Sequence, residues 1–261
     1  MKMELCVTDG RGAVLAQACG DGEAMLCLDR EYQPGDAIQV YAWEGAHLRF
    51  MPDPAVAESE VYLPAGQLHW PVPQGEARLA YSPGSFTGLQ HIITVRAMEE
   101  TEITALRNIA LNPADLRGGT DFYPHAFANV ETRGESCFAA RNVIDGLRFN
   151  QGHGQWPFQS WGIGGREDAW CRLDFGREVL VERMALTLRA DFPHDAWWTS
   201  GHVVTESGED IAFSLRKTGQ RQYIGLGGRR VKWLRLERMV KSDDPSAFPS
   251  LTQWEVWGHD I

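Results

Sequence analysis

The chain reads as an all-β protein of two β-sandwich domains, and three features carry that prediction. Short segments of alternating apolar and polar side chains recur along its 261 residues, which is the period of a half-buried strand. Turn residues interrupt them at intervals of roughly 8–12 residues, the rhythm of sandwiches and barrels. No strand–helix–strand alternation is present, and the Gly162-Ile163-Gly164-Gly165 run lacks the helical pattern that a phosphate-binding loop needs after it.

In the first half the predicted strands are Glu4 to Val7, Ala13 to Ala18, Ala24 to Leu28, Ala37 to Trp43, Val61 to Leu63 and Leu89 to Met98. Asp9-Gly10, Gly20-Asp21-Gly22, Pro34-Gly35-Asp36, Pro52-Asp53-Pro54 and Pro83-Gly84 break the chain between them, by positive backbone angles or a missing amide. Glu99 to Leu106 is the one stretch suited to a helical turn or two. Arg107 to Asn129 is rich in Asn, Pro, Gly and Asp, so the domain boundary is placed at about residue 108, giving domains 1–107 and 108–261 with an irregular lead-in to the second. Tyr41, Trp43, His47, Tyr62, His69 and Trp70 offer the first domain a candidate surface, for which packing against the second domain is the plainer explanation.

The second half continues in strands: Ala169 to Phe175, Val179 to Leu188, His202 to Thr205, Ile211 to Leu215, Gln222 to Leu226, Val231 to Leu236 and Leu251 to Gly258. In Trp254-Glu255-Val256-Trp257 the two indoles are expected on one face, and Trp170, Trp233, Trp254 and Trp257 are expected in the core. Between strands lies the most chemically loaded segment, Arg189-Ala190-Asp191-Phe192-Pro193-His194-Asp195-Ala196-Trp197-Trp198-Thr199-Ser200. Pro193 cannot donate to a ladder and biases Phe192 towards an extended backbone, so the chain leaves the sheet there as a loop.

Composition narrows the function. With 43% hydrophobic and 23% charged residues the chain is of globular type. A net charge of -10 and a pI near 5.3 argue against nucleic acid, which asks for a basic face, and disfavour anionic membrane surfaces. The five cysteines, Cys6, Cys19, Cys27, Cys137 and Cys171, are widely spaced without a Cys-x-x-Cys pair, so free thiols are expected. The opening Met1-Lys2-Met3-Glu4-Leu5 lacks the continuous apolar segment of an export signal, so the expectation is a cytoplasmic chain, or an extracellular one whose leader has been removed. Association of two copies stays open.

Four pieces of the second half, in order, carry a resemblance. They are Ala139-Ala140-Arg141-Asn142-Val143-Ile144-Asp145-Gly146, Gln159-Ser160-Trp161-Gly162, Asp168-Ala169-Trp170-Cys171-Arg172-Leu173-Asp174-Phe175-Gly176 and Leu251-Thr252-Gln253-Trp254-Glu255-Val256-Trp257-Gly258. Over residues 130 to 260 the chain resembles the discoidin, or coagulation-factor C-type, domain, whose bacterial members act as carbohydrate-binding modules. That resemblance implies a galactose-binding-like jelly roll. It also implies a structural calcium ion, with Asp145 giving a side-chain oxygen, Asn142 a backbone oxygen and Glu255 the closing carboxylate, a donor mix that suits calcium. The plainer alternative has Asp145 capping a turn and Glu255 pairing with a nearby Arg or Lys.

Sugars present apolar C–H faces and a rim of hydroxyls, so their sites combine an aromatic plate with planar hydrogen-bonding groups. Arg189, Asp191, His194, Asp195, Trp197, Trp198 and Trp161 supply that mixture. Against it, Trp197 and Trp198 are adjacent and point to opposite faces of a strand, placing one in the core, and Arg189 with Asp191 reads equally as an ion pair. The loop Asn150 to Trp156 adds His153 and Trp156 as a second candidate, and Ser242 to Pro249 is expected near the same end. The reading is a non-catalytic carbohydrate-binding protein. A protein-interaction or scaffold module is the alternative, and a glycan-active hydrolase or lyase drawing on Asp191, His194 and Asp195 the next, although no Gly-x-Ser-x-Gly elbow is present.

Overall fold

The computed structural model describes residues 1–261, and all of its sheets pair antiparallel. The first domain places β1 (Lys2–Thr8), β2 (Val14–Asp21), β3 (Glu23–Asp29), β4 (Ala37–Tyr41), β5 (Ala46–Met51), β6 (Ser59–Leu63), β7 (Gln67–Pro71) and β8 (Gln90–Ala97) in two four-stranded sheets. Their orders are β2-β1-β4-β7 and β3-β8-β5-β6. In β3 every second residue is buried, so Ala24, Leu26 and Leu28 meet Leu5, Val40 and Trp70 in one core. Strands β5 and β7 were not among the expected strands, although Ala46, Leu48 and Phe50 and then Leu68 and Trp70 alternate with polar residues as a half-buried strand does. The single α-helix, α1 (Glu100–Thr104), lies inside the stretch expected to be helical.

Next come β9 (Arg107–Asn108), β10 (His125–Ala128), β11 (Trp161–Gly162), β12 (Cys171–Leu188), β13 (Trp198–Thr205), β14 (Asp210–Ser214), β15 (Gln222–Lys241) and β16 (Ser250–Asp260). They form a sheet of order β11-β16-β12-β15-β13-β14, to which β10 adds beside β12 and β9 beside β16. Register breaks in β12 at Asp174/Val179 and Val181/Arg183 bend it, so one hydrogen-bonded path wraps a core that includes Trp161, Trp198 and Trp254. At the first break Gly176 takes φ +68°, and a Cβ there would lie 2.3 Å from the Tyr123 ring, so only glycine fits.

The tryptophans expected in the core divide. Trp254 is fully buried, but Trp257 lies three positions on, and an odd spacing puts it on the opposite face, beside Tyr223 at 5.8 Å and under Arg183 at 5.1 Å. The indoles therefore do not share a face. Trp170 and Trp233 are only half-buried: they lie outside the core and are covered by side chains, Arg235 over both rings and Arg172 4.3 Å from the Trp233 centroid.

The lead-in between the halves belongs to both. Ile109 and Ala110 join the second core, whereas Ala114 and Phe122 return to the first, where Trp70 Nε1 donates to Ala114 O at 2.7 Å and Ala114 N to Ser59 Oγ at 2.9 Å. Arg107 reaches both sides, donating to Glu60 and to Asp260. Asp260 also accepts from Arg177, and these bonds hold its carboxyl below the usual range although burial opposes them. His47, buried beside Arg177, is pushed down to about 4. Of the first domain's candidate surface, His47 and Tyr62 pack with ring centroids 4.9 Å apart and planes tilted by 49°, with Arg177 of the second domain over Tyr62, and Trp70 is core. All five cysteines are free. No helix is long and apolar enough to cross a membrane.

Candidate functional site

The loaded segment after β12 folds as a turn organised by Asp195. Its carboxylate, fully buried, accepts from Arg189 Nε at 2.9 and 3.0 Å and from Arg189 Nη2 at 2.5 Å, and from the Asp191 amide at 2.9 Å. Asp195 N returns a bond to Asp191 O at 3.0 Å. The ion pair joins Arg189 to Asp195 rather than to Asp191, because the turn curls the chain back instead of extending it. Arg189 is only 3% exposed, yet its bonds to Asp195 leave from Nε and Nη2, and Nη1 makes none. Burying such a pair costs desolvation that bidentate geometry offsets.

Two of the aromatic candidates are structural. Trp198 is 1% exposed and Trp161 fully buried, with centroids 6.4 Å apart in the core and Trp161 Nε1 donating to Val130 O at 2.9 Å. As stacking plates for a ligand both fail, since each contributes the inward face of a strand start. Trp197, just before β13, is half-buried and packs against that same core. Asp195 likewise has no solvent contact, so its part is to hold Arg189 and the turn.

Residues far apart in sequence meet above this floor. Asn150, buried, donates from Nδ2 to Leu188 O and Gly219 O, both at 2.8 Å, and its carbonyl accepts from Ala190 N at 2.7 Å. That pins the loop after it to the end of β12 and delivers His153, whose Nδ1 lies 2.7 Å from Asp191 Oδ2. His153 stacks on His194 at 4.1 Å with 2° between planes, and His194 in turn faces Phe248 at 6.2 Å and 22°. Ser246 Oγ donates to His194 O, which brings the Ser242–Pro249 segment to the same end. Trp156 is 37% exposed but turns away from this column: its amide donates to Leu79 O at 2.9 Å, and it lines a separate hollow with Arg78, Leu79 and Tyr81 between the domains.

The result is a cleft of about 160 Å³ lined by Thr132, Arg133, Phe138, His153, Gly162–Gly165, Arg189, His194 and Phe248–Ser250. Past Ile163, Gly165 and Pro249 it continues into a depression of about 450 Å³ rimmed by Arg166, Arg238 and Lys241. Arg133, Phe138 and Phe248 also line this cleft; the first two fall outside the expected site segments, and Phe248 belongs to the Ser242–Pro249 segment expected at this end. Phe248 is 50% exposed, and Arg133, paired with Glu135 at 2.5 Å, lies 5.3 Å from the Phe138 ring. The signal for this wall was the glycine run. Gly164 N donates to Thr132 Oγ1 at 2.9 Å, and a Cβ on Gly162 would sit 2.6 Å from that oxygen.

The three residues considered for calcium do not form an oxygen cage. Asp145 accepts from Leu147 N at 2.8 Å, Gln253 Nε2 at 2.6 Å and Gln159 Nε2 at 2.7 Å. Asn142 O accepts from the same Gln253 Nε2 at 2.8 Å. The Gln253 amide thus bridges the two oxygens assigned to an ion, with N–H groups that a cation would repel. Glu255 binds Arg148 at 3.3 Å and Arg221 at 2.7 Å instead. Burial pushes Asp145 up to about 6 and raises Glu255 despite its arginine. The donor set fits a metal-free turn anchor, closer to the plainer alternative than to the calcium reading.

No protein-family profile matches the chain, and no curated protein is significantly similar to it in sequence. Among solved structures it is similar to chitosan-binding module 1 of a chitosanase/glucanase from Paenibacillus sp. IK-5, at 19% identity and TM-score 0.41 over 58% of this chain and 99% of that one. It is also similar to a family 32 carbohydrate-binding module from C. perfringens in complex with galactose, at 15% identity and TM-score 0.39 over 51% and 91%. A third is a Streptococcus pneumoniae fucose-binding module, at 16% identity and TM-score 0.39 over 58% and 97%. At such scores the fold of this chain rests on its own strand order.

Proposed function

We propose that this chain is a non-catalytic glycan-binding protein and that the ligand lies in the cleft at the loop end of the second domain. The observation that carries the reading is the composition of that cleft. An exposed Phe248 ring stands beside the His194 and His153 rings, with Arg133 and the unused Nη1 of Arg189 as donors. A sugar's C–H face packs on such a ring, while the guanidiniums meet its hydroxyls in charge-assisted bonds and the imidazole nitrogens offer further hydrogen bonds. The adjoining depression accommodates further rings of an oligosaccharide.

A small site of this kind binds at about millimolar to micromolar strength. On a glycan array the full chain is expected to retain at least one glycan class, and His194→Ala and Phe248→Ala to lower retention about tenfold or more with an unchanged melting temperature. Both side chains are exposed, so folding is not at stake. A wild-type chain retaining no glycan, or variants retaining it equally well, would overturn the reading.

A further inference from the structure

We propose that His153, Asp191 and His194 form a binding site for a transition dication of borderline softness, Zn2+ being the probe of choice, at the mouth of the cleft. The three side chains come from two loops and offer ligand atoms that all lie within 4.8 Å of one another. Two imidazoles and a carboxylate are a donor set for Zn2+, Ni2+ or Cu2+, and the two nitrogens select against calcium and magnesium, which prefer oxygen.

The supporting contacts give the site its orientation. His153 Nδ1 faces Asp191 Oδ2 at 2.7 Å, and His194 Nδ1 faces the buried Asp195 Oδ1 at 3.2 Å. At His194, an Nδ1–H donated to Asp195 fixes the tautomer that leaves Nε2 with its lone pair, and it strengthens that nitrogen as a ligand. At His153 the facing Nδ1 and Asp191 Oδ2 are themselves the ligand pair, and an ion takes the place of the proton between them. Asp195 is itself locked by Arg189, so the second sphere is rigid where the first is exposed.

One rearrangement is required. Parallel rings 4.1 Å apart direct their in-plane lone pairs along separate planes, so a shared ion draws both rings out of the stack. With side chains 45% and 46% exposed, they have room to turn. Three protein ligands then leave the remaining position open to the cleft, the arrangement of sites that bind an exchangeable oxygen ligand.

Calorimetric titration of the full chain with ZnCl2, in the absence of any sugar, tests the site apart from the glycan reading. One Zn2+ per chain is expected, with CaCl2 giving no heat. His153→Ala, His194→Ala and Asp191→Asn should each weaken binding about tenfold or more. His202→Ala is the control: it removes another His–Asp pair of the same 2.7 Å spacing whose carboxylate is also bonded to Arg238. Wild-type protein that takes up no Zn2+, or cleft variants that bind it as tightly as wild type, would overturn the proposal.

Discussion

Replacing Asp145 by Asn should change how stability responds to pH, because the wild-type carboxyl ionises at a cost. Burial pushes its pKa from an ordinary 3.8 to about 6, against the opposing pull of Arg141 and three donated hydrogen bonds. A shift of about two units corresponds to about 3 kcal/mol. The folded-state value lies above the unfolded one, so this contribution is complete below about pH 4 and is lost as pH rises through about 6. Integrating between pH 4.5 and 7.5 leaves about 2 kcal/mol of that loss. Asn cannot ionise and carries none of it. The neighbourhood also tolerates the amide: Gln159 Oε1 is buried without a partner, and turning the Gln159 amide presents that oxygen to the new donor. Urea denaturation of both proteins at the two pH values measures the difference directly. Wild-type stability relative to Asp145→Asn should fall by about 2 kcal/mol between them, and a difference flat with pH would refute the reasoning.

Two further outcomes follow from the same geometry. Trp198→Ala should cost about 3–5 kcal/mol, because the ring is 1% exposed within the second core; a surface-like loss under about 0.5 kcal/mol in chemical denaturation would contradict its burial. EDTA or added calcium should leave the melting temperature of the wild-type chain unchanged, because Gln253 Nε2 already bridges Asn142 O and Asp145, and a calcium-dependent rise in differential scanning calorimetry would show that the amide gives way to an ion.

Much of the architecture was legible because the governing signals are local. Alternation along Glu23–Asp29 and turn residues on either side suffice to name β3, and adjacency alone told that one of Trp197 and Trp198 is core. Where tertiary context overrides local pattern the reading failed. Glycine at position 176 joins two expected strands into one bent β12, since only the approach of Tyr123 reveals why glycine is there. The loop richest in chemistry lines the cleft through Arg189 and His194, but the arrangement of its members was not legible. Nothing in a run of twelve side chains tells that Asp195 curls back under Arg189, or that the imidazole partner of His194 comes from position 153. The exposure of Phe248 was not legible for the same reason: it depends on how Ser246 holds the segment against the His194 turn. Gln253 carried no signal at all beside Glu255, although it is the residue that meets Asp145.

The return of Ala114 and Phe122 to the first core bears on any attempt to use the second domain alone. A cut at the apparent boundary near residue 108 would leave a fragment whose leading segment displays two bare apolar side chains, while its donor half would lose the carbonyl that receives Trp70 Nε1. Grafting the cleft onto another scaffold therefore calls for carrying both sandwiches as one cassette, and the cleft is presented at an angle dictated by its neighbour rather than by a tether.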